Sequence, residues 1–392
     1  METAKSDSAT KRILYVGYYD TPENRGEMRG SVPAATDKMD YIMDVLTELG
    51  YEVEIVSASI TRGTTRRPGK VTEVRPGVYL RLFPSLRWGN KFRRVTSVLY
   101  GKWQVFSFLV RGAKRGENVI VYHSLGYNIL VEIAHLIRGF RLILEIEEIY
   151  ADQTRKSRRT RWAERVSISR ADGYLYSTDL LERTVNKKKR PRVVVHGNYR
   201  VSNGNGVKAE EEITRVVYAG VIDSIKGSFR VVEAAQFLPS EYRLHIIGFG
   251  DKDSIKMLRQ RISDSNKCSQ CKISFDGLLR GVEYEEYLQA CKIGIVGQSG
   301  DSSFANTSFP SKILSYMANG LTVVCDRFDA VETSALGDAL VYTSGDSAEE
   351  LARAIIFAAS HTRDSRQILM ELNTRFLTEL RDLLTEATTD SR

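Results

Sequence analysis

Cysteine is scarce in this 392-residue chain: Cys268, Cys271, Cys291 and Cys325 are the only four. Scattered thiols make no disulfide framework and fit a reducing cytosol. Cys268 and Cys271 form a lone Cys-x-x-Cys, and a structural zinc needs a second pair at suitable spacing. Cys291 and Cys325, set in apolar runs, do not supply one. No apolar run reaches the ~20 residues of a membrane span, and the polar start from Met1 to Lys11 does not read as a signal peptide. Acid is missing from a whole stretch. Between Glu73 and Glu117 there is none, while Arg75, Arg81, Arg87, Lys91, Arg93, Arg94, Lys102, Arg111, Lys114 and Arg115 accumulate.

What is present is ordinary in amount and uneven in placement. Hydrophobic content of 42% and charged content of 27% are those of a globular protein, and the length allows two domains with full cores. The net charge of +8 gathers in the acid-free stretch and in a second run, Arg155, Lys156, Arg158, Arg159, Arg161, Arg165 and Arg170, opposed only by Glu164. Such patches suit an anionic partner, or simply a solvated face. No nucleic-acid-binding motif accompanies them, so nucleic acid is not an expected partner.

The hydrophobic pattern predicts alternating strands and helices. Arg12 to Gly17 reads as a buried strand, a polar loop runs from Tyr18 to Ser31, and a helix follows from Ala34 to Leu49. Val78 to Phe83, Val119 to Tyr122 and Leu142 to Ile146 read as further strands. Phe92, Val95, Leu99, Trp103, Phe106 and Val110 step at helical spacing; aromatics so placed read first as core, and second as an anchor on an anionic bilayer. Gly197 to Glu212 breaks the pattern like a linker, and the βα alternation restarts at Val216. The expected organisation is α/β: a domain over residues 1–200, a second over 201–365, and a terminal helix over 366–392 that could pack back on the first.

In open α/β sheets, ligands sit beyond the carboxyl ends of strands. The second half offers three such loops. Gly220 to Gly227 places Lys226 before a helix; Gly248-Phe249-Gly250 lets backbone approach a ligand; and Ser308-Phe309-Pro310-Ser311-Lys312 opens a helix that Gly320 stops. Asn306, Ser308, Ser311 and Lys312 collect at that helix start, where free N–H groups and the dipole favour a phosphate. In the first half, Glu147 and Glu148 follow the strand Leu142 to Ile146, and His123 follows Val119 to Tyr122. These three could orient an acceptor hydroxyl or take its proton. The alternatives are Arg-paired carboxylates and a structural histidine.

Taken in order, strand–Gly-x5-Lys-Gly, strand–Ile-Gly-x-Gly and Phe-Pro-Ser-Lys-x-x-x-Tyr-Met-Ala-x-Gly-x-x-Val-Val resemble retaining, nucleotide-sugar-dependent glycosyltransferases of the glycosyltransferase-B fold, of the bacterial group that builds polysaccharides and related glycans. The resemblance implies two Rossmann-like doubly wound domains facing a cleft, acceptor on the first and donor on the second. It implies that Lys226 and Lys312 hold a donor diphosphate, with Ser308, Ser311 and Asn306 beside them and Gly248, Phe249 and Gly250 near the nucleobase. The loop holding Arg25, Gly26, Arg29 and Gly30 resembles the family's first loop near donor phosphate and acceptor. Val221 stands where the family usually has an arginine, and Thr307 and Ser315 stand where it has a Glu-x7-Glu pair. Asp251-Lys252-Asp253 falls where the family puts its nucleobase loop, so no metal ligands are expected.

The expected activity is transfer of a sugar from a UDP- or GDP-linked donor to a glycan or lipid-linked acceptor, with retention, without metal and with no bound cofactor. The expected place is the cytoplasm, peripheral at the inner face of the cell membrane, in cell-surface polysaccharide biosynthesis. Two rivals stay open: a catalytically silent binding subunit, motivated by Thr307 and Ser315, and a nucleotide-sugar epimerase of the same fold.

Overall fold

The computed structural model describes residues 11–30, 33–150, 157–204, 212–223, 227–297 and 309–386. It divides into two compact units. One holds the residues up to Ser177, then Leu181–Asn198 and those from Phe376 onward; the other holds Thr178–Leu180 and Tyr199–Arg375.

The first unit is built on β1 (Lys11–Gly17), α1 (Pro33–Glu48), β2 (Tyr51–Ser57), β3 (Lys70–Arg75), β4 (Val78–Leu82), α2 (Lys91–Gly112), β5 (Asn118–Tyr122), α3 (Asn128–Arg138), β6 (Arg141–Ile146), α4 (Arg158–Ile168), β7 (Gly173–Tyr176), α5 (Leu180–Val185) and β8 (Arg192–Val194). Its sheet has eight strands in the order β3-β4-β2-β1-β5-β6-β7-β8. All pairs are parallel except β3 with β4. Strands covered on both faces read as continuous apolar runs, as in fully buried Ile13 to Val16. The hairpin strand β3 escapes the sequence reading because it is a charged, half-exposed edge without such a run.

Chain order fixes the faces. β1 to β2 runs one way across the sheet, while β4 to β5, β5 to β6 and β6 to β7 run the other way. Right-handed crossovers therefore set α1 on one face and α2, α3 and α4 on the opposite one. α1 lies close on β1 because Gly17 leaves room: a Cβ there would sit 2.7 Å from Met39 Cε.

The expectation that the α2 stripe is core is overturned for its first half. The buried positions of α2 are Ser97, Gly101, Val105 and Leu109, while Phe92, Val95, Leu99 and Trp103 face solvent. Gly101 decides the orientation, since a Cβ on it would meet Ile60 Cγ2 at 2.6 Å. The helix seats on its narrow side: Val105 and Leu109 enter the core, and of the expected stripe Phe106 and Val110 lean against it.

The second unit holds β9 (Thr214–Val221), α6 (Ser228–Ala234), β10 (Tyr242–Phe249), α7 (Lys252–Cys268), β11 (Lys272–Phe275), α8 (Val282–Gln289), β12 (Ile293–Val296), α9 (Ser311–Ala318), β13 (Thr322–Cys325), α10 (Asp329–Glu332), β14 (Val341–Tyr342) and α11 (Ala348–Ser360). Its six strands, all parallel, run β11-β10-β9-β12-β13-β14. The terminal helix α12 (Ser365–Thr385) passes into the first unit, where Phe376 stacks on Tyr41 with ring centroids 5.5 Å apart. There the Leu384 carbonyl accepts from Asn118 Nδ2 at 3.1 Å. Among the described residues no helix is long and apolar enough to cross a membrane.

Candidate active site

In the second unit, β9 and β10 end in register, Gly220 beside Gly248 and Val221 beside Phe249. Gly220 and Gly248 have φ of 157° and 143°, and a Cβ on Gly248 would lie 1.8 Å from the Gly220 carbonyl oxygen. Only glycine permits two strand ends to close to this distance. Past them, Ile222 N–H donates to the Phe249 carbonyl at 2.7 Å, and Phe249 leaves its ring exposed.

Helix α9 begins beside these turns. Pro310 occupies its N-cap and gives no side-chain cap, so the first-turn N–H groups keep their pull on an anion. Lys312, in that first turn, lays its Nζ 4.6 Å from the centroid of the Tyr218 ring. A Cβ on Gly220 would stand 2.0 Å from the same Nζ, so the missing side chain is what admits the ammonium. Gly227 folds back on the end of β12, where a Cβ would lie 3.2 Å from Gly297 Cα. An ammonium, a helix start and glycine backbone thus meet at the carboxyl edge of the sheet, an arrangement that binds phosphate.

The first unit carries a cavity of about 550 Å³ past the ends of β1, β5 and β6. Tyr18, Met39, Tyr122, His123, Leu125, Glu148 and Tyr150 are among its walls. His123 is buried and held at both nitrogens. Asn128 Nδ2 donates to Nδ1 at 2.5 Å, with the amide oriented by Ser124 N–H on Oδ1 at 3.0 Å. His123 Nε2 is thereby the protonated nitrogen and donates to Glu164 Oε1 at 2.8 Å. Its ring stacks on Tyr150, whose N–H also reaches Glu164. Glu147 pairs with Lys38 of α1. Behind it, wholly buried Glu145 accepts from the Tyr15 hydroxyl. Burial pushes the Glu145 carboxyl up to about 8; Lys38 opposes the rise and Glu147 adds to it.

That shift ties stability to pH. The folded protein keeps a proton on Glu145 that the unfolded chain gives up near the ordinary carboxylate value, so stability is full below that value and declines as pH rises toward about 8. Melting temperatures taken across this window are expected to fall with pH in the wild type and to flatten in Glu145→Gln. Parallel curves for the two proteins would refute the assignment.

Comparison with known proteins decides the family. Residues 213–361 match the family model described as glycosyl transferases group 1, and residues 40–198 match the glycosyl transferase 4-like domain. The chain is a glycosyltransferase of the glycosyltransferase-B fold. No curated protein sequence matches it significantly. Solved structures share the fold: an E. coli trehalose-6-phosphate structure bound with UDP-2-fluoro glucose is 11% identical at a TM-score of 0.67, covering 96% of this chain and 100% of that one. The Anabaena Alr3699/HepE structure in complex with UDP and glucose is 13% identical at 0.57, covering 95% and 96%. A trehalose-6-phosphate synthase structure described for glycosyl transfer with retention, using bisubstrate glycomimetics, is 10% identical at 0.64, covering 96% and 100%.

In this glycosyltransferase, Lys312, Gly248, Phe249 and Gly250 come together at one sheet edge with Ser311 beginning the helix. Lys226, Asn306, Thr307 and Ser308 lie outside the described residues, as does the Arg25 side chain. Arg29 is not available as a phosphate-facing charge. It is buried, its guanidinium bonded to Glu27 and to the carbonyls of Ser59, Phe83 and Pro68, so it knits three loops together. Gly26 has open space around it, and its carbonyl accepts from Arg67. Gly30 is tied to the loop after β2 through Ile60 and Ser59. Glu147 takes its partner from α1 rather than from the 155–165 basic run: Lys38 pairs with it. Ser315, in the second position of the family's acidic pair, shares a hydrogen bond with Tyr284 at 3.1 Å. Among the described residues no group of three or more His, Cys, Asp or Glu side chains could hold a metal ion.

Sequence reading missed the two tyrosines that build this sheet edge, Tyr218 and Tyr316. Tyr316 fills the space above Gly294, where a Cβ would meet its ring at 2.5 Å. Its hydroxyl accepts from Ala219 N–H at 2.8 Å and donates to the Ile295 carbonyl at 3.3 Å, binding β9 to β12 just before Gly220. Tyr316→Phe removes both of these hydrogen bonds. The expected loss is about 1–3 kcal/mol, read from the denaturant midpoint.

Proposed function

We propose that this glycosyltransferase moves a sugar, with retention, from a UDP- or GDP-linked donor to a hydroxyl of a glycan or lipid-linked acceptor, in cell-surface polysaccharide biosynthesis. The donor belongs to the second unit and the acceptor to the first. The reading rests chiefly on Lys312, its ammonium lodged over Gly220 at the start of α9. In the transfer, the bond from the anomeric carbon to the diphosphate oxygen breaks and the bond to the acceptor oxygen forms. The hydroxyl proton passes to a carboxylate or to the leaving diphosphate. Cationic charge and helix N–H groups count most where charge grows on the leaving group. UDP in the E. coli and Anabaena structures, and retention in the trehalose-6-phosphate synthase, support the same chemistry here.

A second reading, donor binding without turnover, is favoured by one observation: Ser315 meets Tyr284 where the family pattern has an acid. A panel of UDP- and GDP-sugars, followed by thermal shift and by nucleotide release, separates the two. A donor that raises the melting temperature and is consumed supports transfer. Binding with no release under any acceptor supports the silent subunit. If no donor binds, both readings fall.

A further inference from the structure

Helices α2, α3 and α4, on one face of the first sheet, turn large apolar side chains to solvent. On α2, Phe92, Val95, Leu99 and Trp103 follow at helical spacing, Phe92 being 75% exposed and Trp103 57%. On α3, Ile129, Ile133, Leu136 and Ile137 form a second stripe, with Leu136 68% exposed. On α4, Trp162 is 68% exposed. α3 packs against both α2 and α4. Scattered exposed apolar residues are ordinary, but aligned stripes on neighbouring helices mark an interaction surface.

The charge on this face identifies the partner. α2 has no acidic residue, and the single acids of α3 and α4, Glu132 and Glu164, are both buried. Glu132 meets Arg170, and Glu164 meets His123. Lys91, Arg93, Arg94, Arg111, Arg158 and Arg161 are exposed. Outward, the three helices therefore show apolar and cationic groups without a carboxylate. A second copy would bring like charges together, whereas an anionic lipid surface complements both components.

We propose that the α2–α3–α4 face docks this protein on an anionic phospholipid bilayer. Phe92, Leu99, Trp103 and the α3 stripe enter the interface, and the surrounding Arg and Lys residues meet lipid phosphates. Leu125, which precedes α3 and lines the cavity, lies at the border between this face and the cavity. Resting on the function proposed above, the acceptor is then a lipid-linked glycan whose polar end reaches the cavity from the bilayer surface.

The test is co-sedimentation of the full chain with phosphatidylcholine vesicles, with and without phosphatidylglycerol, alongside a donor thermal shift in the same preparations. Wild type is expected to bind the mixed vesicles at least about tenfold more tightly than neutral ones. Arg93→Glu with Arg94→Glu, and separately Phe92→Ser with Leu99→Ser, are each expected to lower binding about tenfold or more, with melting temperatures unchanged. Equal binding to neutral vesicles, or wild-type binding by both double variants, overturns the proposal. So does a concentration-dependent dimer that Phe92→Ser with Leu99→Ser dissolves. Vesicle binding without a donor response keeps the surface and rejects the transferase reading; the reverse pattern rejects the surface alone.

Discussion

Lys312→Ala is expected to lower kcat/KM for the nucleotide-sugar donor by about 10²–10³-fold and to weaken donor binding, while leaving the melting temperature near the wild-type value. The side chain is half-buried and its charge is held in one place, over the Tyr218 ring and against Gly220. Helix α9 keeps its seat through buried Ile313, Leu314, Tyr316 and Met317, so the fold does not depend on the ammonium. Gly220→Ala displaces the ammonium without removing it, and also strains the backbone at φ 157°. A methyl there occupies the ammonium's place, at 2.0 Å, so a comparable loss is expected with Lys312 still present. Lys312→Arg restores the charge but not the fit, and its expected activity lies between. Donor titration by calorimetry and initial rates decide the matter. Wild-type affinity and turnover in Lys312→Ala would remove the donor site from this sheet edge.

The parts of this site that the sequence discloses are the local ones. Glycine and lysine act where they stand, so Gly220, Gly248 and Lys312 announce a phosphate-suited edge within short windows. The buried strands are equally legible, because Ile13 to Val16 and Val216 to Tyr218 must be apolar on both faces of a parallel sheet. What stays hidden depends on partners far along the chain. Glu147 meets Lys38 across 109 positions, and Glu145 meets Tyr15 across 130. No periodicity could announce either pairing. The burial of α2 is hidden for another reason. Hydrophobicity assigns Phe92, Leu99 and Trp103 to the core, but steric room at Gly101 sets the rotation of the helix, and that room exists only against Ile60.

Glu148→Gln is expected to reduce the transfer kcat about 10²-fold or more while leaving donor affinity intact. Three neighbouring groups are held in other roles. Glu147 is bound to Lys38, Glu145 is buried and keeps its proton, and His123 has both nitrogens engaged by Asn128 and Glu164. Among the described residues lining the cavity, Glu148 is the acid, beside the hydroxyls of Tyr18, Tyr122 and Tyr150. A carboxylate there can accept the acceptor's proton or align its oxygen, and glutamine keeps the second ability while losing the first. If Glu148 takes the proton, glutamine loses most of kcat while donor affinity stays at the wild-type value. If it only aligns the hydroxyl, glutamine retains most of kcat and alanine raises the acceptor KM. Glu147→Gln is the comparison: it breaks the ion pair with buried Lys38, so its main expected effect is on stability. Unchanged kcat and acceptor KM in both Glu148 variants would take the acceptor chemistry out of this cavity.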